Sequence, residues 1–417
     1  MAQFEAALAQ ACVDCGVISP SAACAIAQVC EGAKFDAIAL AREARDAGTL
    51  AIPFVKALTR QVRSLAPNAA RFVHFGATSQ DVIDSAAVLC VRNASARLID
   101  LGQGLGDALV GLTRRYRDTP MLARTLLQPA APVPLGWKTA MWLAPLARAL
   151  PAFRQAAADA CVLQFGGASG TLSAFGEHAG RVADALAKCL ALERRVTWHS
   201  ARDGFARLGA EAALLAGLAA KIAGDVALLM QAEVGELAEP AGPDRGSSSS
   251  MPHKRNPALS LLALEAARRT PGLAATLLNQ LTTEHERGLG QWQSQWFTLR
   301  ELLCASASAL AAMLEVVRGL QVNAQAMSAN IERMNGLVFS EAVALRLTRA
   351  TADRLVAQAV REERHLREVM RDDDDVTREL PDSEIDALFE PGRSYGSASE
   401  MIECVLADWS SARGSAP

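Results

Sequence analysis

The sequence predicts an all-α protein, and three observations carry that expectation. Alanine and leucine dominate a chain whose aromatic content is only 5 %. Both are strong helix formers, and β-branched runs are scarce. Apolar residues also recur at helical spacing. Leu98, Leu101, Leu105, Leu109 and Leu112 form one stripe; Leu303, Ala307, Leu310, Leu314, Val317 and Leu320 form another. Finally, Glu211 to Leu237 reads as one long helix with few breakers. It is apolar over much of its surface, which suits burial in a bundle or against other subunits.

Proline and glycine punctuate these helices. Pro129-Ala-Ala-Pro-Val-Pro134 begins a segment, Gly166-Gly-Ala-Ser-Gly170 marks a turn, and Pro240 to Gly246 opens a run of serines. The acidic run Asp372 to Asp375 reads as a solvated loop. The expected layout is a helical N-terminal domain over residues 1–98, a central bundle of long helices over 99–338, and a smaller helical domain over 339–417. No internal repeat is evident.

With 51 % hydrophobic and 21 % charged residues, the chain can bury a large core. A net charge of −3, from 42 basic and 45 acidic residues, leaves no electrostatic footprint for nucleic acid. Met1 to Leu8 lacks a basic start followed by an apolar core, so no signal peptide is expected. Glycine or charged residues interrupt the apolar stretches, so no membrane span is expected either, and the cytoplasm is the expected location. Nine scattered cysteines suit reduced, mostly buried thiols. Cys12 and Cys15 form a single CxxC. A zinc or redox site there stays open, but two cysteines on a helix face is the plainer reading.

The chemistry concentrates in Gly246-Ser-Ser-Ser-Ser-Met-Pro-His-Lys-Arg-Asn-Pro257. Four serines alone suit a linker. A linker gives no reason for Met251, Lys254 and Asn256 to cluster between two prolines. A hydroxyl followed by a cation and an amide donor suits a carboxylate ligand. Serine is a poor base unless its alkoxide is stabilised, which Lys254 and helix N-terminal N–H groups would do.

This segment resembles the signature loop of the fumarase/aspartase superfamily, Gly-Ser-Ser-x-Met-Pro-x-Lys-x-Asn-Pro. Aligned on Met251, the superfamily's proton-abstracting serine falls on Ser248, and its carboxylate-binding positions fall on Lys254 and Asn256. Ser247 stands where the superfamily has glycine. Val73-His-Phe-Gly-Ala-Thr-Ser-Gln-Asp81 resembles its first conserved region, and also reads as a turn before a helix capped by Thr78 or Ser79. Arg124 to Gln128, leading on to Gly136-Trp-Lys138, resembles the second, with Gln128 at a substrate-contacting position. The segments Val162–Gly170, Thr197–Asp203, Glu284–Arg287 and Trp292 to Trp296 are most similar to the superfamily's bacterial lactonising branch. The tryptophans and His199 read equally as core packing. The Arg-Asp-Arg of that branch is Arg202-Asp203-Gly204 here, with Arg207 three positions on.

Many superfamily members carry histidine where this chain has Leu126. That histidine helps protonate the leaving group. Hydroxide and amine leaving groups need the proton, since their conjugate acids have pKa values of about 16 and 10. A carboxylate, whose acid has a pKa of about 4, leaves unaided. Leu126 therefore favours lactone chemistry over an amine or water lyase, with His74 or His285 available as a substitute acid. The resemblance implies a three-domain fold around a central long-helix bundle. It implies a homotetramer acting on a small-molecule tricarboxylate, with no metal or other cofactor and no nucleic-acid or membrane partner. The expected catalytic residues are Ser248 and His74; Thr78, Ser79, Gln128, Arg202, Lys254, Asn256 and His285 are expected on the substrate. The alternatives are a carbon–nitrogen lyase of the same superfamily and a catalytically silent helical oligomer.

Overall fold

The computed structural model describes residues 1–32, 34–243 and 245–414; Asp244, within the Pro240 to Gly246 stretch of the sequence, lies outside them. The structure is 71 % helical, with two small two-stranded sheets among the described residues. The elements that matter here are α1 (Ala2–Asp14), α2 (Ser79–Arg115), β1 (Pro120–Thr125), β2 (Gln128–Pro134), α3 (Leu135–Ala160), α4 (Asp203–Leu229), α5 (Ala258–Asn279), α6 (Gln291–Arg318) and the short α7 (Asp374–Glu379). The leucine stripe from Leu98 to Leu112 is buried along one side of α2, as its spacing predicts. Two of the long helices hold internal prolines, Pro145 and Pro151 in α3 and Pro271 in α5, each removing one helical hydrogen bond.

The structure departs from the sequence reading in four places. Residues 129–134, read only as the start of a segment, belong to a strand, β2, paired antiparallel with β1. Proline has no N–H to donate, and Pro129 and Pro132 suit a two-stranded ribbon where one edge needs no donors. The helix expected over Glu211–Leu237 begins at Asp203 and stops at Leu229, before a turn that holds Gly235 at φ +61°. In the acidic run, the Asp373 side chain accepts from the amides of Asp375 and Val376 and caps α7. Last, α4 and α6 are each long and apolar enough, by length and composition, to cross a membrane. About half of each such window is buried within the chain.

Two compact units divide the chain. The first comprises Met1–Ile99, Ala152–Ala213 and Arg269–Cys304. Its core includes a line of rings, Phe4–Phe165–Phe175–Phe75, with centroids 6.4, 5.6 and 5.6 Å apart. Tilted and edge-on aromatic contacts of this kind add about 0.5–1.5 kcal/mol per pair beyond area burial. The line ends beneath the segment 73–78. The second unit comprises Asp100–Pro151, Leu214–Arg268 and Ala305–Pro417. In it Thr113 on α2 and Thr139 on α3 share a buried hydrogen bond of 2.9 Å. Leu122 of β1 joins the tail's own core of Leu355, Leu366, Met370, Ile385 and Phe389.

Candidate active site

In the first unit, the segment before α2 is shaped by Gly76, at φ +67°, where a Cβ would come within 2.3 Å of the Phe175 ring. His74, at φ +59°, also occupies the left-handed region. The turn-plus-helix reading is correct in outline, but the cap is reversed. The Thr78 amide donates to Asp81 Oδ2 at 3.0 Å. The hydroxyls of Thr78 and Ser79 have no hydrogen-bond partner among the described residues, so both are available to a ligand.

Asp81 is the hub beneath them. It is fully buried, and among the described residues its carboxylate accepts from five donors. Besides Thr78, these are the amides of Gly166 and Gly167 at 2.9 and 2.8 Å, Gln164 Nε2 at 3.2 Å and His199 Nε2 at 2.9 Å. A second tie runs through Gln80, which donates to the His199 carbonyl at 2.8 Å and accepts from Arg287 Nε at 2.9 Å. Arg287 lies two residues from His285, an exposed residue at φ +47° with no hydrogen bond of its own among the described residues. The structure thus connects the Thr78–Ser79 segment with the His285 loop, and it makes His199 a buried brace.

Arg202 has a different role from the substrate contact expected of it. It is only 2 % exposed. Its guanidinium pairs with Asp84 at 2.6 and 3.2 Å, hydrogen-bonds Gln295, and lies 4.6 Å above the Trp198 ring. Asp84 also accepts from Trp292 Nε1 at 2.9 Å, so Trp292 is a core residue. Gly204 opens the first turn of α4 beside a cavity of about 340 Å³ lined by Asp159, Arg195, Trp198 and Arg207. Arg207 is exposed, lies 3.8 Å from Asp203 and lines the same cavity as Gly204. The CxxC cysteines are free thiols, and burial pushes that of Cys12 up to about 12.

In the second unit, the serine loop is closed at its neck. The Asn256 amide donates to the Gly246 carbonyl at 2.8 Å. Gly246 sits at φ +65°, and a Cβ there would fall 2.2 Å from the Asn256 oxygen, so only glycine fits. Ser248 is half-buried, and its Oγ accepts from the Met251 amide at 3.2 Å. Lys254 is exposed; its amide donates to the Met251 carbonyl at 3.0 Å and its side chain has no hydrogen bond among the described residues, while Asn256 Nδ2 points at the Ser247 carbonyl, 3.5 Å away. The N-terminal amides of α5 are not available to the serine. Those of Leu259 and Ser260 donate to the buried Glu239 carboxylate at 3.0 and 2.7 Å. The donor that the structure places on Ser248 Oγ is the Met251 amide.

The β1–β2 turn belongs to the same unit. Thr125 pairs with Gln128, so Leu126 and Leu127 form a two-residue turn, both at positive φ (52° and 66°). Such turns favour Asn and Gly, and two leucines here are strained. They are also 97 % and 70 % exposed. Arg124 anchors the hairpin through a bidentate pair with buried Glu236 at 3.0 and 2.7 Å, and Asn330 adds a third bond at 2.7 Å. Gln128 starts β2, and its side chain is exposed and without a hydrogen bond among the described residues.

An all-helical chain with this serine loop, a hydroxyl-bearing helix start and a braced glutamine hairpin belongs to the lyase family of the fumarase/aspartase superfamily; the lyase family's model matches residues 1–272. Among its relatives are 3-carboxy-cis,cis-muconate cycloisomerases. That of Bradyrhizobium diazoefficiens is 44 % identical over 97 % of this chain and 92 % of its own length. That of Pseudomonas aeruginosa is 44 % identical over 98 % and 91 %. The crystal structure of the 3-carboxy-cis,cis-muconate lactonizing enzyme from Pseudomonas putida superposes with a TM-score of 0.94 at 38 % identity, covering 99 % of this chain and 94 % of that one.

Proposed function

We propose that this chain is a 3-carboxy-cis,cis-muconate cycloisomerase that closes its substrate to 4-carboxymuconolactone. One observation carries the reading: the likeness to cycloisomerases spans almost the whole chain and includes a serine loop whose reactive groups are all in place. In the forward direction a substrate carboxylate oxygen attacks the conjugated double bond. The displaced electron pair delocalises into a neighbouring carboxylate as an enolate-like form. Lys254 and Asn256 stabilise that charge. The Ser248 hydroxyl then delivers a proton to carbon, and His74 takes part as a second proton-transfer group. Thr78, Ser79, Gln128 and His285 hold the remaining carboxylates, and Leu126 matches a carboxylate leaving group in the reverse reaction. Arg202 braces the core and stays off the substrate.

The active form in this reading is a cytoplasmic homotetramer, each site drawing its segments from more than one chain. Apolar surface supports it. The α4 face with Leu214 and Leu228, and the α5 residues Leu261, Leu262 and Leu278, are exposed in the single chain. So is the strained Leu126–Leu127 tip, which gains nothing in water from its conformation. The test is a spectrophotometric assay with 3-carboxy-cis,cis-muconate. Ser248→Ala is expected to abolish turnover and leave the helical circular dichroism unchanged. A near-normal rate in that variant would remove the serine assignment. Cleavage of adenylosuccinate or argininosuccinate, with no change in carboxymuconate absorbance, would overturn the substrate.

A further inference from the structure

Glu5 is a buried acid that the mechanism above does not use. It lies on α1 with its side chain 1 % exposed. A carboxylate in that position needs donors or a cationic partner. Among the described residues two donors reach it, both from His74: the backbone N–H reaches Oε2 at 3.0 Å, and Nδ1 lies 2.7 Å from Oε1; the Met1 ammonium also adds an opposite charge nearby. Amide and ring of one residue thus grip both oxygens of one carboxylate, with His74 at φ +59°. The ring keeps 16 % exposure, and its Nε2 has no hydrogen-bond partner among the described residues. An ionised carboxylate only accepts. The hydrogen in the 2.7 Å contact is therefore on Nδ1, and in the neutral ring Nε2 carries the lone pair. A charge on Glu5 is also felt nearby: burial first, and the Glu5 charge second, push the Cys30 thiol up to about 12.

We infer that Glu5 is a positioning residue that locks His74 in the Nδ1–H tautomer and so leaves its partly exposed Nε2 as a proton acceptor toward a ligand. The inference rests on the proposed function for the substrate and for the part His74 takes in turnover.

The discriminating variant is Glu5→Gln, which keeps size and shape. The His74 amide can only donate, so it takes the single glutamine oxygen. The glutamine NH₂ then faces Nδ1, which must become an acceptor, and the ring proton moves to Nε2. The tautomer is read by ¹⁵N NMR of histidine-labelled protein at pH 8, where an ordinary imidazole is neutral. The His74 signals are identified by their loss in His74→Gln. The expected result is Nδ1–H in the unaltered protein and Nε2–H in Glu5→Gln. Alongside it, kcat on carboxymuconate should fall about 100-fold or more, the lower range for a general acid–base group, with KM within about threefold. Nε2–H in the unaltered protein would overturn the inference. So would a switched tautomer with kcat within about threefold, the pattern of a purely structural carboxylate. If the unaltered protein does not turn over carboxymuconate, the substrate reading fails alone, and the tautomer pair still decides whether Glu5 sets His74.

Discussion

Arg202→Met separates a structural from a substrate-binding arginine. Arg202 is 2 % exposed and its partner Asp84 is 1 % exposed. After the substitution, Asp84 remains buried with the Trp292 N–H, 2.9 Å from it, in place of three donors. Removing one member of a buried pair costs about 3–5 kcal/mol, and the lost stacking on Trp198 adds about 1 kcal/mol. The unfolding entropy of a 417-residue chain is about 0.9 kcal/mol per kelvin if it unfolds as one. A loss of about 4–6 kcal/mol then lowers Tm by about 5–7 °C. Thermal unfolding monitored by circular dichroism, together with KM for carboxymuconate, gives the readout. The expected outcome is a lower Tm with KM within about twofold for the fraction that remains folded. Adding Asp84→Asn should recover part of the loss, because the uncompensated charge is then gone. An unchanged Tm with KM raised tenfold or more would refute the reasoning and return Arg202 to the substrate.

Two other predictions concern the thiols and the hairpin. Burial raises the Cys12 thiol from about 9 to about 12, so the folded chain keeps a proton that the unfolded chain releases. Stability should therefore be fully present below pH 9 and decline as pH rises from 9 toward 12. Urea midpoints across that range should fall less steeply in Cys12→Ala; an identical slope would remove Cys12 as a cause. At the hairpin tip, Leu126→Asn with Leu127→Gly supplies the pair this turn favours and relieves about 1–2 kcal/mol per left-handed leucine. It also deletes the exposed apolar tip. Analytical ultracentrifugation should show a weaker oligomer and assays a slower enzyme, whereas an intact tetramer with full activity would leave the tip without a role in assembly.

Features encoded within a few turns of chain were legible before the structure. The α2 stripe from Leu98 to Leu112 is one, and the grouping of Ser248, Lys254 and Asn256 on one loop is another. What escaped was tertiary. Glu5 meets His74 across 69 residues, and no local pattern distinguishes that glutamate from an ordinary helix-surface acid. Asp81 stood inside a recognised motif, yet four of its donors lie 83 to 118 residues away. Arg202 was expected on the substrate because it stands at the Arg-Asp-Arg position of the lactonising branch that the segment resembles. Only the packing of Asp84 and Gln295 around it shows where its charge is neutralised. The β1–β2 hairpin was missed because its turn breaks the rule that would have announced it: two leucines occupy a place where Asn-Gly is the readable signal.

The neck of the serine loop has a consequence for how this scaffold can change. Gly246 and Asn256 close residues 247–255 off at their base, and Glu239 independently satisfies the helix that follows. The segment carrying Ser248 and Lys254 is therefore not part of what makes α5 a helix. Substitutions between the two neck residues alter reactivity at little cost to folding, whereas Gly246 itself tolerates almost nothing. A chain built this way can explore new chemistry in nine positions while selection on its fold acts elsewhere. Variant libraries confined to residues 247–255 should accordingly stay folded at a far higher rate than libraries of equal size spread over Glu239, Gly246 and the first turn of α5.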